Sequence, residues 1–332
     1  MSQPPLLRSA ITRRLRRGHR SVGWMLLIAL VMSPLMPGPS EFQAPTYHED
    51  SHSLWVHMRE SFALDHHIDN PRVRYWIEWY QQHPDAIDRY MKDARPWLYH
   101  VFHEVDARHV PGEIALLPFI ESGYNPRARN ISGASGMWQL TPQAATEVGL
   151  TLSRDYDPRN DPLESTHAAL DYFQWLSDNW FDDDWVLMLA VYNAGVGRVN
   201  KAIRQANTRN YFDLPLPTET RLYVPRLLAL AAIIDAPEHY GIRLPDIPNE
   251  PMFKSIRVAR PVSLDSLSSA ELSSRQLHDF NPAYGQTVGR HQLLLVPVAQ
   301  APSIMCRLKA RSALAGDTRQ LSCDDKHVAV AP

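Results

Sequence analysis

The sequence predicts a mainly α-helical protein that closes on a small mixed α/β region. Apolar residues recur at three- and four-residue intervals through most of residues 52–245, the spacing that lines one face of a helix. Almost no alternating strand pattern occurs before residue 250. After "IRLPDIPNEP" the composition changes, and "KSIRVARPV", "LSSRQLHDFNPAYG" and "HQLLLVPV" read as strand, helix, turn and strand across residues 252–298.

The chain begins with a different kind of segment. Residues 1–40 carry six arginines (Arg8, Arg13, Arg14, Arg16, Arg17, Arg20) and no acid. Taking those six charges from the formal net of -2 leaves -8 for the remainder, a balance that excludes a dedicated nucleic-acid binder. The arginines precede "VGWMLLIALVM", Val22 to Met32, which is short for a bilayer span. A basic start followed by such a run reads as an export signal. Because "SPLMPGPS" offers no clean small-x-small cleavage site, an uncleaved membrane anchor extended through Leu35 and Met36 is the alternative. "TRRLRRG" allows a twin-arginine reading, but an ordinary basic n-region explains it as well. No cysteine follows the run, so lipid attachment there is excluded by chemistry. Residues 1–40 are therefore expected to be a signal peptide or anchor, and the protein to work in the cell envelope, in the periplasm.

Residues 41–51, at the end of a stretch holding Pro37, Pro39 and Pro45, read as a linker. The helical body follows over residues 52–248. "HSLWVHMRESFAL", "PRVRYWIEWYQQ" and "AIDRYMKDARPWLYHVFHEV" open it, with Pro71 and Pro84 at helix starts and Pro96 splitting the third segment. Tyr75, Trp76, Trp79 and Tyr80 read as core. "PLESTHAALDYFQWLSDNW" and "DWVLMLAVYNAGVGRVNKAIRQ" are the clearest helices, and a last one runs from Thr218, as N-cap, to Gly241. Residues 299–332 read as a polar, alanine-rich tail. In it lie Cys306 and Cys323, which in an exported protein pair as one disulfide or stay as two thiols.

No metal and no cofactor are expected. "HEVDARH" sets His103 and His109 six apart, whereas a zinc helix needs its imidazoles at i and i+4. His66 and His67 are adjacent and point apart on a helix, and Asp182, Asp183 and Asp184 lack the calcium-loop spacing. No phosphate-cradling glycine loop or serine elbow is present.

The chemistry instead gathers around "ALLPFIESGYNP", where Glu121 ends an apolar run. Burial disfavours the ionised form, and a carboxyl that keeps its proton near neutral pH suits a general acid. "NISGASGMWQLTP" follows, with Gly133 and Gly136 for close backbone approach, the aromatic Trp138 and the amide of Gln139. Tyr192 and Asn193 interrupt the apolar face of "LMLAVYNAGVG" and need partners if buried. Each alone reads as structural. Together, one acid, several hydrogen-bonding groups and an aromatic wall suit a sugar.

The ordered set "ESGYNP", "GASGMWQLTP", "DPLESTHAALDYF", "VYNAGVGRV" and "ETRLYVPRLLALA" resembles the soluble lytic transglycosylase (SLT) domain family, with the membrane-bound murein lytic transglycosylase D group the nearest in likeness, over residues 95–245. The resemblance implies a lysozyme-like fold of the goose-type lysozyme/SLT superfamily. By the same resemblance Glu121 is the sole catalytic acid/base. Gln139 matches the glutamine of the family's Gly-Leu-Met-Gln motif, written here Gly136-Met137-Trp138-Gln139, so Met137 and Trp138 are carried over as substrate-binding residues with it. Tyr192 and Asn193 match the family's Ala-Tyr-Asn with Val191 in place of alanine, and Tyr192 is expected to hydrogen-bond Glu121. Tyr223 matches a tyrosine lining the cleft, and Asn130 stands where the family often has a serine near the reacting sugar.

The implied partner is peptidoglycan and the implied reaction is cleavage of the β-1,4 bond between N-acetylmuramic acid and N-acetylglucosamine, leaving 1,6-anhydro ends. Glu147, Asp155 and Asp157 fall in surface turns and supply no second catalytic carboxylate. A hydrolytic muramidase on the same scaffold and an inactive peptidoglycan-binding scaffold protein are the alternatives. Residues 250–298 faintly resemble a LysM repeat whose Gly-Asp-Thr-Leu opening is replaced by "RPVSLDSL", and read equally well as a plain packing domain.

Overall fold

Prolines and short polar side chains mark where the helices begin. The computed structural model describes residues 52–314. In chain order the helices are α1 Leu54–Glu60, α2 Pro71–Gln82, α3 Pro84–Ala94, α4 Leu98–Ala107, α5 Leu117–Glu121, α6 Pro142–Glu147, α7 Pro162–Leu176, α8 Trp185–Ala194, α9 Val196–Ala206, α10 Thr218–Asp235, α11 Ser274–Phe280 and α12 Ala301–Leu314. Pro71, Pro84, Pro142 and Pro162 each occupy a first-turn position, where the missing N–H costs nothing. Asn70, Thr141, Asp161 and Asp184 cap the ends of α2, α6, α7 and α8 with side-chain oxygens.

The centre of the body is α10. From Tyr223 to Ile234 all but Arg226 are buried, because α2, α8, α5 and α1 surround it. The start of the body is anchored to it and to the segment after it, as Arg59 Nε donates to the Ile234 carbonyl at 2.6 Å and Trp55 Nε1 to the Pro245 carbonyl at 2.8 Å. Pro96 does split the third segment, into α3 and α4.

Several expected details differ. The helix read as continuous from Asp184 to Gln205 breaks at Gly195, whose φ of 84° no helix accommodates. Thr218 is already helical and Pro217 takes the cap position without a side-chain bond. The same helix stops at Asp235, before Pro237, and Gly241 instead closes the short 3₁₀ turn Pro237–Tyr240 with a φ of 68°. Of the four aromatics on α2, Tyr80 alone is fully buried, Trp76 and Trp79 pack at the margin, and Tyr75 is exposed.

The C-terminal region pairs β1 Phe253–Arg257 with β4 Leu293–Pro297, antiparallel, and β2 Val262–Ser263 with β3 Thr287–Val288. Between them come the 3₁₀ turn Asp265–Leu267 and α11, so the predicted strand, helix, turn, strand order holds. The boundary at 298 does not. Ala301 and Ile304 on α12 join the buried cluster of Val258, Leu264, Leu277 and Val296, with Leu308 packed beside them. The spacing i, i+3, i+7 gives α12 the apolar stripe that a tail lacks. The region is also docked on the body, with Phe253 and Phe280 against Trp97 at ring separations of 5.5 and 5.3 Å.

Among the described residues no helix is long and apolar enough to cross a membrane. The signal or anchor over residues 1–40 and the linker over 41–51 lie outside the described residues. Cys306 is disulfide-bonded, and Cys323 lies outside the described residues.

Candidate active site

A 3₁₀ turn, Gly112–Leu116, runs directly into α5, and Pro118 sits where α5 begins and needs no N–H. The helix lasts five residues, and Glu121 is its last. Gly123 and Tyr124 then both take left-handed backbone, with φ of 64° and 62°. Tyr124 is held in that unfavourable conformation by full burial, by its ring against Phe119 at 4.6 Å and by its hydroxyl, which donates to the Ala115 carbonyl at 2.6 Å. Ser122 ties this elbow to the next segment. Its Oγ donates to the Met137 carbonyl at 2.8 Å and accepts from the Asn125 N–H at 3.1 Å.

The glycine-rich segment is fixed by a contact only glycine permits. A Cβ on Gly136, at φ 84°, would lie 1.7 Å from the Arg159 carbonyl oxygen. Arg159 in turn is paired with Asp157 at 2.8 Å and donates to the Gly133 carbonyl at 2.7 Å. Gln139, also left-handed at φ 49°, donates from Nε2 to the Gly136 carbonyl at 2.8 Å.

Glu121 is half-buried, and burial pushes its carboxyl up from 4.5 to about 7. A hydrogen bond from Tyr223 and the positive charge of Arg226 oppose that rise, while the charge of Glu219 adds to it. Tyr223 Oη donates to Glu121 Oε1. Both Tyr223 and Arg226 come from α10, three residues apart on one face, and Arg226 Nη2 donates to Tyr90 Oη at 2.5 Å. The carboxyl thus holds a proton up to about pH 7 and yet has a partner ready for its ionised form.

Two expectations about this site are corrected. Tyr192 does not bond Glu121: its hydroxyl donates to the Trp138 carbonyl at 2.6 Å, and its ring stacks on Phe173 at 5.2 Å. Tyr223 takes the role instead. Met137 and Trp138 are not a sugar-facing wall either, since both are fully buried and the Trp138 indole N–H donates to Thr166 Oγ1 at 3.0 Å. An indole in a dry core needs such a partner, and α7 supplies it.

The remaining assignments fall as follows. Asn193 accepts from Thr220 Oγ1 at 2.8 Å and so links α8 to α10. Asn130 is exposed and its Oδ1 accepts from the Ser132 N–H at 3.2 Å, a turn-forming contact. Of the acids weighed as a second carboxylate, Asp157 is committed to Arg159, Glu147 accepts from Gln143 on the surface at 2.9 Å, and Asp155 is exposed. Sequence reasoning missed Arg226 and Ser122. For Arg226 a signal was present, since it stands one helical turn beyond Tyr223 in "ETRLYVPR".

The sequence pattern of the transglycosylase SLT domain matches residues 102–214. A protein of Alteromonas sp. named for tributyltin chloride resistance is 36% identical over 200 residues, which are 58% of this chain and 92% of that protein. The chain belongs to the transglycosylase SLT family. Membrane-bound lytic murein transglycosylase D of Escherichia coli is 35% identical over 244 residues, 71% of this chain and 54% of that protein. The chain therefore spans about half the length of that SLT relative. Among solved structures, the 70 kDa soluble lytic transglycosylase of Escherichia coli aligns over 59% of this chain and 33% of its own, at 23% identity and a TM-score of only 0.37. The SLT match includes Glu121, the Gly136–Gln139 turn and the Tyr192-Asn193 pair, and it stops short of α10. Tyr223 and Arg226, which favour the ionised form of Glu121, thus lie beyond it.

Proposed function

We propose that this chain is a peptidoglycan lytic transglycosylase that cleaves the β-1,4 bond between N-acetylmuramic acid and N-acetylglucosamine. The observation that carries this is the state of Glu121, a carboxyl that holds a proton to about pH 7 and whose only close hydrogen-bond partner among the described residues is Tyr223. Protonated Glu121 gives its proton to the glycosidic oxygen as the bond to C1 breaks and positive charge spreads over the ring. The carbonyl oxygen of the sugar's own N-acetyl group covers C1. Ionised Glu121, steadied by the Tyr223 hydroxyl, then takes the proton from the 6-hydroxyl, whose oxygen bonds C1 and closes the 1,6-anhydro ring. Intramolecular attack has a high effective concentration, so no activated water and no second carboxylate are needed.

Gln139, Asn193 and Asn130 are the amides we assign to the sugar, Gln139 through its side-chain carbonyl, since its Nε2 donates to the Gly136 and Ala128 carbonyls, and Asn193 through its Nδ2 donors. The basic-then-apolar start of the sequence supports export, and peptidoglycan as substrate supports the periplasmic face of the envelope as the site of action. The β-α-β order of residues 253–297 supports the LysM-like reading, while its docking on Trp97 supports a packing role.

Sacculi incubated with the purified protein should release muropeptides lighter by one water than hydrolysis products and lacking a reducing end. Glu121→Gln should abolish release, by roughly a thousandfold, with helical content unchanged. Products that retain a reducing end would mean a muramidase instead. Sacculus pelleting without any release by the unmodified protein would mean a binding protein.

A further inference from the structure

We infer that His100, Glu104 and His167 form a zinc-binding site that clamps α4 to α7. One ligand atom from each residue lies within 4.8 Å of the other two. His100 and Glu104 are four apart on α4 and so share a face, and His167 comes from α7, which packs against α4. Two imidazoles and one carboxylate are a donor set that zinc takes while leaving a fourth position for water.

The state of His100 is the second observation. Its Nε2 is fully buried and has no hydrogen-bond partner. An orphaned polar atom of that kind is costly, and a metal ion would satisfy it.

The geometry needs little adjustment. Tetrahedral zinc with bonds of about 2.0–2.1 Å holds its donors about 3.3 Å apart. His167 Nε2 and Glu104 Oε2 already stand 3.2 Å apart. The remaining closure, on the order of 1.5 Å, falls to side chains with room to move, since His167 is 45% exposed. Arg108 is the group that opposes a cation here, with Nη1 2.6 Å from Glu104 Oε2. It shares Oε2 with His167 Nε2, so an ion bound there must displace Arg108 from that oxygen. Its other arm already reaches toward Asp171, Nη2 to Oδ1 3.7 Å, so a bound ion has somewhere to send it. His103 is not a fourth ligand, because its Nε2 meets Asn249 Oδ1 at 2.9 Å.

The expectation of no metal rested on histidine pairs and an acidic run, each close in sequence. The second imidazole instead lies 67 positions beyond the first, on another helix. Thr166, next to His167, holds the Trp138 indole, so an ion here would stiffen the helix that anchors the Gly136–Gln139 turn.

The test is titration of zinc ions alone into the EDTA-stripped full-length chain, followed by calorimetry, with magnesium as the control. One zinc per chain should bind, with a rise in melting temperature and no response to magnesium. His167→Gln and Glu104→Gln, both at partly exposed positions, should each weaken binding at least tenfold while the circular dichroism of the free protein stays the same. Cobalt bound in place of zinc should give visible ligand-field bands that His167→Gln removes. Absence of saturable binding would overturn the proposal. So would undiminished binding in both variants, which would put the ion elsewhere among the 15 histidines.

Discussion

The Tyr223 hydroxyl donates to Glu121 Oε1 across 102 positions of sequence. The acid ends one short helix and the phenol projects from the centre of another, so their meeting is a product of packing. The tyrosine is buried, and burial drives its own pKa well above its usual value, which leaves it a donor at every working pH. A donor that cannot ionise stabilises the carboxylate without competing for its proton.

Tyr223→Phe removes that donor and nothing else of size. The hydrogen bond lowers the Glu121 pKa, so its loss should raise it and move the alkaline limb of the pH–rate profile upward. The ionised form that accepts the 6-hydroxyl proton also loses its steadying partner. A drop in kcat of roughly ten- to a hundredfold, with KM little changed, corresponds to one hydrogen bond to a charged group. An unshifted alkaline limb would show that Tyr223 only fills space.

Glu121 should also cost the fold stability at high pH. Its carboxyl titrates near 4.5 unfolded and about 7 folded, so the unfolded chain loses its proton first. Stability from this group is complete below pH 4.5, drains away between 4.5 and 7, and stays lost above. The full shift corresponds to about 3 kcal/mol, and partial solvent screening brings the expectation to about 2 kcal/mol. Glu121→Gln, which cannot ionise, should therefore unfold at higher urea than the unmodified protein at pH 8, and at nearly the same urea at pH 4.

The sequence makes the acid legible and leaves its surroundings largely hidden. Glu121 is visible because an apolar run leads straight to a carboxyl, a pattern with few structural explanations. The helix starts are legible for the same reason, since Pro71, Pro84 and Pro162 act locally. Partnership is not local. Nothing in "VYNAG" says that Tyr192 bonds the Trp138 carbonyl while Tyr223 takes the acid, because that choice depends on how α8 and α10 cross. Trp138 misleads as well: an aromatic beside a glycine turn has the same letters whether it faces a sugar or a core. The α12 stripe was hidden by composition, as Ala301, Ile304 and Leu308 are diluted by polar neighbours on the other face.

Burial of Trp138 sets its own test. If the indole is structural, Thr166→Val should leave its N–H unpaired in the core and cost about 1–3 kcal/mol in urea unfolding. Catalysis should suffer mainly through that loss. At a temperature where the variant is fully folded, KM for glycan strands should stay within about twofold of the unmodified protein, because the ring face never meets substrate. A large rise in KM in a stable variant would return Trp138 to the cleft.

Ile304 tests whether α12 belongs to the C-terminal module. Its side chain is fully buried in the cluster with Leu264, Leu277 and Val296, so Ile304→Asp places an unpaired carboxylate in an apolar core. The penalty exceeds what a small module can absorb, and residues 253–297 should become protease-sensitive. The main core, with α10 at its centre, meets the module through Leu295, Phe253 and Phe280 and through the Tyr156–Tyr284 contact, and it should keep its own protection. Limited proteolysis followed by mass analysis should then yield a stable fragment ending near residue 250. Loss of the whole chain to protease would mean that the two cores fold as one. An unchanged digestion pattern would mean that α12 is dispensable, as a tail would be.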